Sequence, residues 1–364
     1  MKSNLKAEPS STVVASSEST IGLDLGDRWS RYCILDATGT IAKEDRVRTT
    51  PEALEQCFGS ILPAKIVMEA GTHSPWVSQL LKKLGHQVIV ANARKVRLIY
   101  ESDNKNDRLD ARMLAKLGRV DMSLLAPVQH RSAKAQTDLL VIRGRDALVA
   151  ARTQLINAVR GVVKSTGARL PASTTAAFAT KIAPLIPLAL KSALAPLLKS
   201  IQHLSEQIHR CDQQVEELAE KKYPETKLLR QVKGVGPLIS LAYVLTLENP
   251  ARFQKSRMVG SYLGLQPKQS QSGDSAPQLR ISKAGNSLLR RLLVQAAQYI
   301  LGPLASDSRL RRWGLELARR GGKNSKKRAV IAVARKLAVL LHKLWVTGEV
   351  YDPFYGMAQM QTVA

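Results

Sequence analysis

Four acidic residues in this chain have the types and spacing for metal-assisted phosphoryl chemistry. In the run Ile21-Gly22-Leu23-Asp24-Leu25-Gly26, strand alternation sends Ile21, Leu23 and Leu25 to one face and Asp24 to the other, between two glycines that leave room for a ligand. Glu69 closes a second apolar run, residues 64–70, with Ile66 and Met68 on the opposite face. Asp107 and Asp110, in KNDRLDARMLA, stand three apart at a helix start and share a face. Each alone has an ordinary reading: a turn for Asp24, a lysine partner for Glu69, an N-cap for Asp107, first-turn charge for Asp110. Together they are harder to dismiss, because a carboxylate near mid-sheet is costly unless paired, protonated or metal-bound. Hard oxygens converging from separate elements are what Mg²⁺ or Mn²⁺ takes. Such an ion clamps the nonbridging oxygens of a phosphodiester and stabilises charge on the attacking and leaving oxygens.

Three blocks must position these groups. Residues 19–125 alternate strand and helix signals: TIGLDLG and RYCILDATGTI as a hairpin, a helix over 51–61, AKIVMEA as a buried strand, WVSQLLKKLG as a helix closed by Gly85, HQVIVAN as a strand, and DRLDARMLAKLG as a helix ending at Gly118. That pattern implies a mixed sheet covered by helices. Residues 126–224 are long-helical. One helix from about Lys134 to Lys164 carries Leu148, Leu155, Val159 and Val162 on one face. After an Ala/Pro/Thr-rich connection, Leu190, Leu194, Leu197, Ile201, Leu204, Ile208, Cys211, Val215 and Leu218 form a heptad seam, with the continuous helix expected to begin at Pro196. An antiparallel hairpin and a dimerising coiled coil both satisfy it. Residues 225–346 are helical with glycine breaks, residues 1–18 read as a disordered Ser-rich lead-in, and residues 347–364 read as a tail.

Composition narrows the partner. The 364 residues carry 55 Lys plus Arg against 29 Asp plus Glu, a net charge of +26. From Gln278 to Trp345 sixteen Lys and Arg face two acids, Asp307 and Glu316, so more than half the surplus lies in under a fifth of the chain. A solvated basic face is the plain reading of a charge run, but one so short of acids favours a nucleic-acid surface. Only 4 Trp, 8 Tyr and 4 Phe occur, which argues against recognition mainly by base stacking; Trp313 and Trp345 read as helix anchors. Cys33, Cys57 and Cys211 fit neither a disulfide framework nor a zinc site, which suits a reducing cytoplasmic setting. His130, His203, His209 and His342 lack partner spacing and read as surface or core residues. The longest apolar stretch, residues 176–198, is broken by Lys181, Lys191 and three prolines and is no membrane span.

In LLRQVKGVGPLISLAYVLTL a helix, a GVG turn and a second helix follow one another as in a helix-hairpin-helix, so the amides around Gly234 and Gly236, with Lys233 beside them, are placed to bind phosphate without reading bases. The plain alternative is Gly234 as a helix C-cap and Pro237 at the next helix's first turn, and the two are compatible.

The first block resembles the RNase H/RuvC-like nuclease domain, and the chain from about residue 20 to 345 resembles a DEDD transposase of insertion sequences, the family related to the pilin-gene inverting recombinase. The matching stretches are GLDLGDRWSRYCILD, IVMEAGTHSPWVSQLL, NARKVRLI and KNDRLDARMLA, then KGVGPLISLAYVLTL, MVGSYLGLQPKQSQSG and RISKAGNSLLRRLLVQAA. GLDLG alone also occurs in actin-like ATPases, but the second phosphate-binding glycine loop is missing here. The resemblance implies that Asp24, Glu69, Asp107 and Asp110 bind Mg²⁺ or Mn²⁺; Asp27, beyond the strand, and Asp103, outside the DxxD pair, match less well. It places a nucleophilic serine in the C-terminal block, where Ser272 before Gly273 fits and Ser270 and Ser275 are rivals. A polar loop is the ordinary reading of SQSGDS. Arg280, Lys283 and the basic helix carrying Arg290 and Arg291 would hold phosphate near it. The expected activity is cutting and rejoining DNA through a covalent phosphoserine, by a tetramer that uses a structured noncoding bridge RNA. The rivals are a metal-dependent junction nuclease in which water attacks and a non-catalytic nucleic-acid scaffold.

Overall fold

A computed structural model describes residues 19–99, 106–277, 279–322 and 324–355. The lead-in expected over 1–18, Asp103, and the part of the tail after Tyr355 lie outside the described residues. The chain divides into two compact units, one up to Ala133 and one from Lys134.

In the first unit β1 (Thr20–Asp24), β2 (Trp29–Leu35) and β3 (Ile41–Arg48) form an antiparallel meander. It is followed by α1 (Pro51–Gly59), β4 (Lys65–Glu69), α2 (Ser74–Lys83), β5 (Gln87–Ala91), α3 (Ala93–Ile99) and α4 (Asp107–Val120). The sheet order is β3-β2-β1-β4-β5, with β4 parallel to β1 and to β5. This is the mixed, helix-covered sheet expected, with one strand more. β3 escapes a sequence reading because as an edge strand it buries only Val47, so IAKEDRVR has no apolar alternation. Ile21, Leu23, Tyr32, Ile34, Ile66 and Met68 pack with Leu54, Phe58, Val77 and Leu81 of α1 and α2 on one face. On the other face Cys33, Leu35, Val67 and Ile89 meet Ala111, Leu114, Ala115 and Leu117 of α4. Gly118 does not end α4. It is a contact point, where an added Cβ would come within 2.3 Å of the Val67 side chain.

The second unit opens with α5 (Ala133–Ser165), α6 (Phe178–Ile182) and α7 (Leu188–Glu217). Arg145 pairs with Asp212 and Arg152 donates to Ser205, so α5 and α7 run antiparallel within one chain; of the two arrangements open to the seam, the structure contains the hairpin. Leu194, Ile201, Ile208 and Val215 are buried, while Leu197, Leu204 and Cys211 are half-buried. Two sequence expectations are corrected. The inner face of α5 is Arg152, Ile156, Val159 and Val163, not the row through Leu148 and Val162; two adjacent valines let the 3–4 spacing be drawn through either, and Val162 is 40% exposed. Pro196 lies inside α7, at an exposed position, so the carbonyl of exposed Ser192 that loses its helical donor can be hydrated.

One core joins the hairpin's open end to the remaining helices: α8 (Glu225–Leu229), α9 (Pro237–Leu247), α10 (Arg257–Tyr262), α11 (Ser287–Leu301), α12 (Arg309–Arg319) and α13 (Ser325–Thr347). α9 is apolar all round and buried from Ser240 to Leu247, and the Tyr243 hydroxyl donates to the Ala338 carbonyl at 2.7 Å. Trp313 and Trp345 pack against this core as anchors, and His342 is buried in hydrogen bonds to Ser256 and the Pro250 carbonyl. As far as Tyr355 the expected tail is bound back: Tyr351 N–H donates to Gln231 and Arg309 N–H to the Pro353 carbonyl.

Candidate active site

Parallel pairing of β1 with β4 sets Leu23 beside Met68, so Asp24 and Glu69 come next in line at the ends of neighbouring strands. Both are half-buried, and alternation places both on the face that α4 covers. That helix lies unusually close. A Cβ on Gly22 would stand 2.0 Å from the Ala111 carbonyl oxygen and 2.5 Å from the Ala115 nitrogen, so only glycine admits it. Ala111 over Gly22, with Gly118 further back over Val67 and Thr20, directs the N-terminal turn of α4 toward the Asp24 end of the strand. Asn106 caps that turn by accepting from Arg108 N–H at 3.0 Å, and Asp107 and Asp110 follow in it.

A clamp the sequence reading missed fixes α4. Glu44 of β3 accepts from Arg108 and makes a two-bond pair with Arg112. These arginines hold its carboxyl down at about 2, and burial together with Glu44 pushes the Cys33 thiol up to about 11. Glu44, Cys33 and Gly22 are consecutive partners across the sheet, so the clamp lies beside the glycine on which the helix rests. KEDRVR carries no signal of it.

The loop after Glu69 is pinned as well. The Ser74 hydroxyl donates to the Gly71 carbonyl at 2.8 Å, accepts from Gly71 N–H at 2.9 Å and bonds His130 Nε2 at 2.9 Å. Burial, with Arg131 and Lys82 nearby, lowers the pKa of His130. Trp76 Nε1–H donates to His73 Nδ1 at 3.2 Å, which leaves the His73 proton on Nε2, 3.7 Å from Asp27 Oδ1. Asp27 therefore links the loops that follow the two site strands.

The donor set, four carboxylates around strand ends and a helix start, suits a hard divalent ion. Among the described residues no three His, Cys, Asp or Glu side chains are gathered as a group that could hold one. What the fold brings together is the backbone positions.

Ser272 belongs to the second unit. Backbone bonds from Lys283 to Gly264, Ser282 to Gln266 and Lys268 to Arg280 build a hairpin arm, closed by the reciprocal pair Ser272–Ser275 at 3.1 Å. Gly273, with φ +54°, is the first of two central residues, a place that wants a positive φ. Ser272 is thus the last residue before a tight tip, exposed, on an arm whose described residues from Pro267 to Arg280 are all exposed. The base is the opposite: a Cβ on Gly264 would lie 2.2 Å from the Ala284 nitrogen.

The expected phosphate ligands divide. Lys233, Arg280 and Lys283 are exposed, and a Cβ added at Gly236 would meet nothing within 4 Å, so that side of the turn is open. Arg290 instead donates to the Leu263 and Ala284 carbonyls, holding the arm's base, and Arg291 pairs with Asp146 on α5. Gly234, at φ +95°, turns the chain between α8 and α9 against Tyr299.

Known proteins resemble this chain in sequence. Residues 21–167 match an IS110 DEDD family model described as Transposase, and residues 226–309 match one described as Transposase IS116/IS110/IS902 family. The chain is 28% identical over 345 residues to the transposase for insertion sequence element IS1111A of Coxiella burnetii, covering 91% of this chain and 90% of that one. It is 28% identical over 344 residues to a probable family 20 transposase of Pseudomonas aeruginosa, with 92% and 99% covered. To the transposase for insertion sequence element IS1328 of Yersinia enterocolitica it is 27% identical over 338 residues, with 91% and 98% covered. Among the described residues no helix is long and apolar enough to cross a membrane.

Proposed function

The chain carries transposase domains of the IS110/IS116 family in both halves, and from this premise we propose that Asp24, Glu69, Asp107, Asp110 and Ser272 cut and rejoin the DNA of an insertion sequence. The observation that carries the reading is the register of β1 and β4, which ends two adjacent strands in carboxylates beneath a helix that starts with two more. These four would hold Mg²⁺ or Mn²⁺, which when bound supplies charge stabilisation to the phosphorane-like transition state. Ser272 Oγ attacks phosphorus and loses its proton; the bond to one strand oxygen breaks, and that oxygen takes a proton to leave as a free hydroxyl end. The phosphoserine keeps the bond energy, and attack by a hydroxyl of the partner strand releases the serine without ATP.

Exposure of Ser272 at a narrow tip on a firm base supports this role, since the hydroxyl must meet a phosphodiester flanked by bulky strands. Lys233, Arg280 and Lys283 support the backbone of the DNA, with the turn after α8 acting as a helix-hairpin-helix. The surplus positive charge also suits a structured guide RNA, and we assign the active form to a tetramer.

The test is adduct trapping on a nicked substrate carrying the element's end. Ser272→Ala should abolish the covalent adduct and Asp24→Asn should abolish strand cleavage. Undiminished nicking by Ser272→Ala would mean that water is the nucleophile.

A further inference from the structure

The face of the sheet that carries the carboxylates continues sideways into a basic and aromatic platform. Asp24 is paired with Arg31 of β2, and Arg31 with Arg46 of β3; one row further on, Trp29 is paired with Arg48. Alternation along β2 puts Trp29 and Arg31 on the same face as Cys33, which lies under α4, and therefore on the face of Asp24. Neighbouring strands are ~4.8 Å apart and alternate residues ~7 Å along a strand, so the Trp29 ring lies within a nucleotide's reach of the carboxylates.

The chemistry of this platform is specific. Trp29 is 42% exposed, an unusual state for the largest apolar side chain, and it sits beside a polar strand edge and not in a core. Arg46 and Arg48 stand over its ring at 4.6 Å and 5.4 Å. Both are exposed and, unlike Arg108 and Arg112, which are committed to Glu44, neither has a carboxylate ion pair among the described residues.

We propose that Trp29, Arg31, Arg46 and Arg48 form a seat for an unpaired DNA strand, with a base stacked on Trp29 and its flanking phosphates on the arginines. A base stacked on an aromatic ring is held more firmly than a guanidinium in an exposed cation–π contact. A base therefore displaces a guanidinium from the ring, and the freed guanidinium takes the adjacent phosphate. Duplex DNA, whose bases are stacked on one another, presents no π face to Trp29 and gains only the phosphate contacts. The seat deepens the transposase reading and rests on it: it places a melted strand alongside Asp24 and Glu69.

The test uses the full-length protein in EDTA, so that cleavage plays no part. A fluorescent dT₁₅ strand with one 5-iododeoxyuridine is titrated and photocrosslinked, and the crosslinked peptide is identified by mass spectrometry. The expected crosslink is on Trp29, competed by unlabelled dT₁₅ far better than by duplex. Arg46→Ala with Arg48→Ala should raise the half-saturation of that crosslink and flatten its log–log salt slope by about 1.4, for two single-strand phosphate contacts. Crosslinks confined to residues beyond Lys134, equal competition by duplex, or an unchanged slope in the double variant would each overturn the seat. So would a Trp29 crosslink that forms with rU₁₅ but not with dT₁₅. Asp24→Asn separates the two readings. If it abolishes cleavage while no Trp29 crosslink forms in any variant, the seat alone fails. If it cleaves normally while the Trp29 crosslink persists, the catalytic assignment alone fails.

Discussion

At the scale of single residues, Glu44 and Gly22 decide where the carboxylates stand. Glu44 is nearly buried and holds two arginines of α4, so Glu44→Gln should destabilise the first unit by about 1–3 kcal/mol, the lower end reflecting the exposure of Arg108. Its carboxyl lies below the ordinary value of 4.5, at about 2 in the folded protein. The stabilisation is therefore complete above about pH 4.5 and disappears as pH falls toward 2. Urea titrations of the two proteins should show a gap at pH 7 that closes across that window. Gly22→Ala has a harsher effect, because the Ala111 backbone oxygen at 2.0 Å cannot move without shifting the helix. That variant should lose cleavage and several kcal/mol of stability together. The sequence displayed Asp24 and Glu69 because strand alternation isolates a charge among apolar neighbours. It hid Glu44, because a charge on an edge strand reads as solvated until its cross-strand partner is known.

At the scale of elements, the serine arm combines a fixed base with a bare tip. Gly264→Ala, at φ +67° and 2.2–2.3 Å from Ala284 backbone atoms, should disorder the base and remove adduct formation. Gly273→Asn, which tolerates a positive φ and meets nothing within 4 Å, should retain most of it. Adduct yield beside thermal stability distinguishes the two. The strands with buried neighbours and the helices with heptad spacing were legible in the sequence. Those governed by context were not: β3 by its edge position, the interior Pro196 of α7 by the water available to the carbonyl it frees, and the phase of α5 by a choice between adjacent valines.

At the scale of the molecule, the cores of the two units share no residue: one set lies within 21–125 and the other within 135–344. Calorimetry should resolve two unfolding transitions, with Glu44→Gln moving only one of them. Charge is just as unevenly shared, and binding of any polyanion should weaken steeply with salt, most of the slope disappearing when the lysines and arginines of α12 and α13 are neutralised. Composition alone announced the polyanion. It could not announce which arginines are available, because Arg290 and Arg311 are spent on backbone carbonyls and Arg291 and Arg312 on aspartates, pairings that exist only once the helices have packed.

The bare α-carbon of Gly22 has a genetic corollary. Any missense change in a glycine codon adds at least a methyl group, and here every such addition collides with main chain. A change in either of the first two bases of that one codon is therefore enough to drive the helix off the strand it rests on.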